Sequence, residues 1–188
     1  MRSIAVFCGS NVGASDAYAQ GARALGVALA RRSLTLVYGG AHKGLMGVVA
    51  DGALDAGGAV TGIITQRLAD LGHGHPRLTT SEIVVDMIAR KREMMLRADG
   101  FIVLPGGIGT LEELFAVWAH GQIEGHVKPI GLLDIREYFT PLLKCIEHMV
   151  DERFLPASHR DMLIVERSPD TLLDRFASYR AVTAPKWL

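Results

Sequence analysis

The 188-residue chain has almost no cysteine: Cys8 and Cys145 are the only two, and they stand far apart. That excludes a disulfide-stapled secreted scaffold and a cysteine-ligated metal centre, and it reads as a reduced, cytosolic protein. No apolar run approaches the ~20 residues a membrane span needs. The first apolar stretch, Ile4–Cys8, is too short for a secretory signal. Neither sign of charge is in excess, since 20 Lys+Arg balance 20 Asp+Glu. The basic surplus of a general nucleic-acid binder is therefore missing. The seven histidines form no HExxH or similar ligand pattern, and the one close pair, His73 and His75, falls in a loop. No repeat, low-complexity segment or interdomain linker divides the chain. Its length and its 49% apolar content suit one domain over residues 1–188, with a loosely held tail at 183–188.

What is present is a regular alternation. Short apolar runs (Ile4–Cys8, Thr35–Tyr38, Ala59–Ile64, Glu82–Val85, Phe101–Leu104, Ile130–Leu133, Leu163–Val165) separate longer stretches of helical period (Asp16–Arg32, Leu45–Ala56, Met87–Ala98, Leu111–His120, Tyr138–Val150, Pro169–Tyr179). Alternation of this kind predicts right-handed crossovers and a parallel sheet covered by helices on both faces. Runs that are continuously apolar agree with strands buried on both sides. Ser15 and Ser168-Pro169 read as helix starts. Gly57-Gly58 and Gly121 read as helix ends. Gln66–Thr80, with two glycines, two histidines and Pro76, reads as a loop near the site. In such a sheet, ligands bind beyond the carboxyl ends of the strands. Three glycine-bearing turns fall there: Gly9-Ser10, Gly39-Gly40 and Pro105–Gly109.

The richest of these is Leu104-Pro105-Gly106-Gly107-Ile108-Gly109-Thr110-Leu111-Glu112-Glu113. Glycines at a strand end let backbone amides approach a ligand. A helix capped by Thr110 would offer free N–H groups and a positive dipole end to an anion. The stretch is not a Walker A loop, because no Gly-Lys-Ser/Thr follows. It is not GxGxxG, because Glu112 occupies the last glycine position. Glu113 has two readings: the reciprocal partner of Thr110 in a capping box, or a carboxylate held beside the anion seat. Glu112 points about 100° away on the same helix.

A second cluster is Asp86-Met87-Ile88-Ala89-Arg90-Lys91. Met87, Arg90 and Met94 share a helix face. An arginine on an apolar face needs an anionic partner, which is either Asp86 one turn back or a ligand phosphate that suits the planar guanidinium. In Tyr38–Gly47, Gly39 and Gly40 read as ligand-contacting turn residues. Gly47 reads as close packing, and Lys43 as a solvated loop lysine.

Together these residues resemble the Lonely Guy (LOG) family of cytokinin riboside 5′-monophosphate phosphoribohydrolases, long labelled lysine decarboxylase-like. The PGGxGTxxE motif of that family is matched in full by Pro105–Glu113. Its YGGGxxGLMG segment is matched by Tyr38–Gly47 except at Ala41, and its arginine–lysine helix is matched at Met87, Arg90 and Lys91. The resemblance covers roughly Ile4 to Leu155. It implies a Rossmann-like, doubly wound α/β domain, a homodimer, and hydrolysis of the N-glycosidic bond of a purine nucleoside 5′-monophosphate to free base and ribose 5-phosphate. It implies catalytic roles for Arg90 and Glu113. Substrate contacts are implied at Gly39, Gly40, Met87, Lys91, Gly106, Gly107, Ile108, Gly109, Thr110 and Glu112. No metal or redox cofactor is required, and no lysine has the setting of a pyridoxal phosphate Schiff base. The chain departs from the family at Ala41, Gly72, Ile88 and Ala119, where members commonly have Gly, an acid, His and Thr. The alternative is a non-catalytic carrier of a nucleotide or phosphorylated cofactor on the same fold.

Overall fold

A computed structural model describes residues 1–124 and 128–181. The expected loose tail at 183–188 lies outside the described residues. Seven strands, β1 (Ser3–Phe7), β2 (Thr35–Tyr38), β3 (Val60–Thr65), β4 (Thr80–Val84), β5 (Phe101–Val103), β6 (Ile130–Leu133) and β7 (Leu163–Glu166), form one sheet in the order β4-β3-β2-β1-β5-β6-β7. Every pairing is parallel. The order runs outward from β1 in both directions, so the sheet is doubly wound, with its switch point between β1 and β5.

The helices are α1 (Asp16–Arg31), α2 (Gly44–Asp55), α3 (Gln66–Asp70), α4 (Met87–Arg97), α5 (Ile108–Glu124), α6 (Thr140–Asp151), α7 (Ala157–Arg160) and α8 (Pro169–Ala177). They divide the core in two. Ile4, Val6, Leu36 and Ile102 face a cluster with Leu25, Leu29 and Val49 of α1 and α2 and Leu172 and Phe176 of α8. Ala5, Phe7, Val37 and Val103 face the other cluster, with Met94 of α4, Leu114 and Trp118 of α5, and Ile146 of α6. Alternate residues of one strand thus enter opposite cores, as the pleat requires. This is why the inner strands carry no polar face.

Several elements differ from the expectation. The α5 helix begins at Ile108 because the carbonyl of Gly107 accepts from the Leu111 N–H at 3.1 Å. Thr110 is therefore inside the first turn and is not the cap. Helix α5 also runs through Gly121 to Glu124. A mid-helix glycine costs only about 1 kcal/mol, and burial of Val117 and Trp118 outweighs it. The stretch from Gln66 to Thr80 is not all loop: Thr65 Oγ1 accepts from the Leu68 N–H at 3.4 Å and starts α3. The short α7 was not expected. Strand β4 lies at the sheet edge and is not buried on both faces, with Ile83 53% exposed.

Candidate active site

Beyond the carboxyl ends of β1, β2, β3 and β5 lies a cavity of about 570 Å³. Its walls follow the strand order. Gly107 and the α5 residues Ile108–Thr110, Glu112 and Glu113 form one side, and the turn after β1 contributes Cys8, Ser10 and Asn11. The turn after β2 contributes Ala41 and Lys43, and the first turn of α2 contributes Met46. Leu68 and His73 follow β3, and α4 adds Met87 and Arg90. A smaller cavity of about 260 Å³ adjoins it across Gly107 and is lined by Gly106, Tyr18 and Tyr138.

The two adjacent glycines of the α5 turn serve different ends. A Cβ on Gly106 would sit 2.1 Å from Thr110 Oγ1, so Gly106 is required by packing against the buried Thr110. A Cβ on Gly107 or Gly109 would meet nothing within 4 Å. The space in front of these two is open, both line the cavity, and the first N–H groups of a helix have no intrahelical acceptor, which suits them to an anion. The Tyr138 hydroxyl donates to the Gly106 carbonyl at 2.5 Å and holds the turn in place.

Arg90 is 7% exposed. Its Nε donates to the Ile63 carbonyl and its Nη2 to the Gly39 carbonyl, both at 2.9 Å. Its Nη1 faces Glu113 Oε1 at 3.8 Å and lies 4.0 Å from Met87 Sδ. The alternative partner is not used: Asp86 Oδ1 instead accepts from the Ala89 N–H at 2.7 Å and caps α4. Gly39 makes this arrangement possible, because a Cβ there would sit 1.5 Å from Arg90 Nη2. Gly40, at φ +73°, accepts from the His75 N–H at 2.9 Å. Gly39 thus stands behind the guanidinium and Gly40 packs against Ile63 and Ile64 of β3, and neither is among the residues lining the cavity.

Glu113 sits in the second turn of α5 and turns to Arg90 rather than back to the start of the helix, so the capping box does not form. Burial pushes its carboxyl up from 4.5 to about 7; Arg90 opposes that rise, Glu112 adds to it, and Lys91 opposes it. Burial also pulls Arg90 down from its ordinary value, against the opposing charges of Glu113, Cys8 and Tyr38. The fork with two carbonyls and a carboxylate is what a buried guanidinium requires. Cys8, in the wall beside the pair, is pushed well above the usual thiol range by burial and then by the charge of Glu113, with Arg90 opposing. It stays a thiol and is not set up as a nucleophile.

Of the residues expected in the site, Arg90, Glu113, Met87, Gly107, Ile108, Gly109, Thr110 and Glu112 meet on one cavity. Gly106 lines the adjoining one. Lys91 is paired with Glu112 and borders an apolar groove on the outer face of α4. His73 and His75 part company. His73 lines the cavity, whereas His75 turns to Asp51, with Nε2 3.2 Å from Oδ1 and Nδ1 accepting from the Arg77 N–H. The sequence reading puts Ser10 on the rim and the stretch holding Leu68 and His73 near the site, and these three line the cavity, whereas it does not place Asn11, Lys43 and Met46 there. Their positions just after the Gly9-Ser10 and Gly39-Gly40 turns were the available signal.

A doubly wound parallel sheet with an amide rim and an acid–guanidinium pair at its switch point defines a Rossmann-like α/β protein built to hold an anionic ligand. The family model described as "possible lysine decarboxylase" matches residues 46–176. A cytokinin riboside 5′-monophosphate phosphoribohydrolase of Rhodococcoides fascians is 44% identical over 165 residues, covering 87% of this chain and 83% of that protein. The enzyme of the same name, LOG5, from Arabidopsis thaliana is 40% identical over 181 residues, covering 96% and 79%. The chain belongs to the LOG family. Among solved structures, a molybdenum cofactor binding protein of Rippkaea orientalis superposes with a TM-score of 0.73 at 21% identity, covering 94% of this chain and 96% of that one. The molybdenum cofactor carrier protein of Chlamydomonas reinhardtii gives 0.70 at 18% identity, covering 94% and 98%. At these identities the likeness is one of fold.

Proposed function

We propose that the protein hydrolyses the N-glycosidic bond of a purine nucleoside 5′-monophosphate, AMP or an N6-modified cytokinin nucleotide. The products are the free base and ribose 5-phosphate. The observation that carries this reading is the approach of Arg90 to Glu113, at 3.8 Å, on the same cavity as the open amides of Gly107 and Gly109. The family relation supports the same chemistry.

The 5′-phosphate sits on the α5 amides, with Lys43 on the cavity wall nearby. Phosphate binding far from the reacting carbon positions the sugar. Cleavage passes through an oxocarbenium-like ribose. Ionised Glu113 stabilises the developing charge at C1′ and takes a proton from the attacking water. Arg90 holds that carboxylate in place and is the fixed cation of the site.

The protein acts as a single domain, in the cytoplasm, and as a homodimer. The outer face of α4 and the β4 edge support the dimer, with Val85 85%, Ile88 76% and Leu96 64% exposed. Among the described residues no helix is long and apolar enough to cross a membrane. The test is to incubate the protein with AMP, with N6-isopentenyl-AMP and with adenosine, and to follow free base by chromatography. Base released from the monophosphates and not from adenosine is expected. Tight nucleotide binding with no base over hours would overturn the reading and favour a carrier.

A further inference from the structure

The cavity has two chemically different ends, and the strand order sets which is which. Over β5 are the α5 amides, which suit phosphate. The sugar then lies over β1, beside Glu113. At the far end, over β2 and β3, the wall is Ala41, Met46, Leu68 and Met87, with Lys43 and the Arg90 guanidinium beside them and one aromatic ring, His73. A wall of apolar side chains edged by polar groups suits a purine, a flat ring with nitrogens on its edge.

His73 is held there by backbone bonds that do not involve its side chain. Its N–H donates to the Leu68 carbonyl at 3.0 Å. Its carbonyl meets both the His42 N–H and His42 Nδ1 at 3.0 Å. The next residue, Gly74, bridges to Ala41. The loop is thereby fixed to the same turn whose Gly39 carbonyl receives Arg90. The His73 ring itself is idle: Nδ1 is buried and meets no hydrogen-bond partner among the described residues. A buried ring nitrogen left unpaired costs about 1–3 kcal/mol. Nε2 is not enclosed in this way and makes no hydrogen bond among the described residues, so it is the ring nitrogen that can meet a ligand in the cavity.

We propose that His73 is a catalytic residue of this hydrolysis, binding the departing purine and passing it a proton. The proposal rests on the phosphoribohydrolase reading. As the C1′–N9 bond breaks, its electron pair goes to the base, and the His73 imidazolium gives its proton to a purine ring nitrogen. Water adds to C1′ and gives a proton to the Glu113 carboxylate, which returns it to solvent. His73 regains its proton from solvent. One water is consumed, and one base and one ribose 5-phosphate leave.

The experiment compares two leaving groups in wild type and His73→Gln, using AMP and 4-nitrophenyl β-ribofuranoside 5-phosphate. Nitrophenolate departs without a proton, so only the purine needs the acid. His73→Gln should lose about 100-fold or more in kcat on AMP, the ordinary range for a general acid. It should stay within about threefold of wild type on the nitrophenyl substrate, which also shows that the variant is folded. Equal losses on both substrates would make His73 a structural residue and overturn the proposal. An unchanged rate on AMP would overturn it as well. A wild type inactive on AMP but active on the nitrophenyl substrate would overturn the base-side assignment alone. Inactivity on both would end the hydrolase reading and this one together.

Discussion

Replacing Glu113 with Gln should make the protein more stable above neutral pH while removing its activity. The carboxyl is held at about 7 in the folded chain against 4.5 as its ordinary value. Its folded value lies above its unfolded one, so the native state binds the extra proton between those two pH values. The contribution of Glu113 to stability is fully present below pH 4.5 and is lost as pH rises through about 7. At 1.36 kcal/mol per pH unit, the ionised carboxylate costs the fold about 3 kcal/mol. That figure is the balance after Arg90 has attracted it, because burial is the larger influence. Gln is close in shape to the protonated acid and never ionises. In urea denaturation, Glu113→Gln should match wild type at pH 4.5 and exceed it by about 3 kcal/mol at pH 8.5. For a chain of this length that is about 6–12 °C in Tm. A variant no more stable than wild type at pH 8.5, or one with the same gain at both pH values, would refute the reasoning.

The same titration sets the pH profile of activity. With ionised Glu113 required, kcat/KM should fall about tenfold per pH unit below about 7, and a flat profile from pH 5.5 to 7 in initial-rate assays would contradict the role. Gly39→Ala should displace the guanidinium, whose Nη2 lies 1.5 Å from the new Cβ, and should lower kcat by about 100-fold while circular dichroism shows the helices intact. Arg90→Lys keeps the charge but loses the fork that serves Ile63 and Gly39, so it should cost about 2 kcal/mol in urea denaturation and about 100-fold in activity.

The fold could be read from the sequence because each buried strand is a short, wholly apolar run next to a helix of clear period. Six of the helices and all seven strands lie where those patterns put them, within a few residues at most ends. The exceptions have local causes. Gly107 starts α5 early by offering its carbonyl, which no propensity scale anticipates. Thr65 caps α3 at the head of a stretch whose glycines and Pro76 read as loop. Strand β4 starts at Thr80, ahead of the run Glu82–Val85, and lies at an edge, where Ile83 meets solvent. In the site, Arg90 was legible as a cation on an apolar face, and Glu113 as an acid beside a glycine turn. That the two face each other could not be read from spacing, because they lie on different helices and meet only through the strand order. The part of Gly39 was legible only as a turn glycine, since the space it leaves belongs to a side chain 51 residues away in sequence. His73 looked like half of a weak metal pair until the fold sent His75 to Asp51.

The central claim is that the carboxylate of Glu113, held by Arg90 beside an amide rim, breaks the bond between a purine and ribose 5-phosphate. The most direct measurement is the initial rate of base release from AMP and N6-isopentenyl-AMP by wild type, Glu113→Gln and Arg90→Ala, assayed in parallel with their unfolding curves. The account predicts equal amounts of base and ribose 5-phosphate from wild type, and a loss of about a thousandfold or more in both variants while they remain folded. Wild-type rates in either folded variant would contradict it.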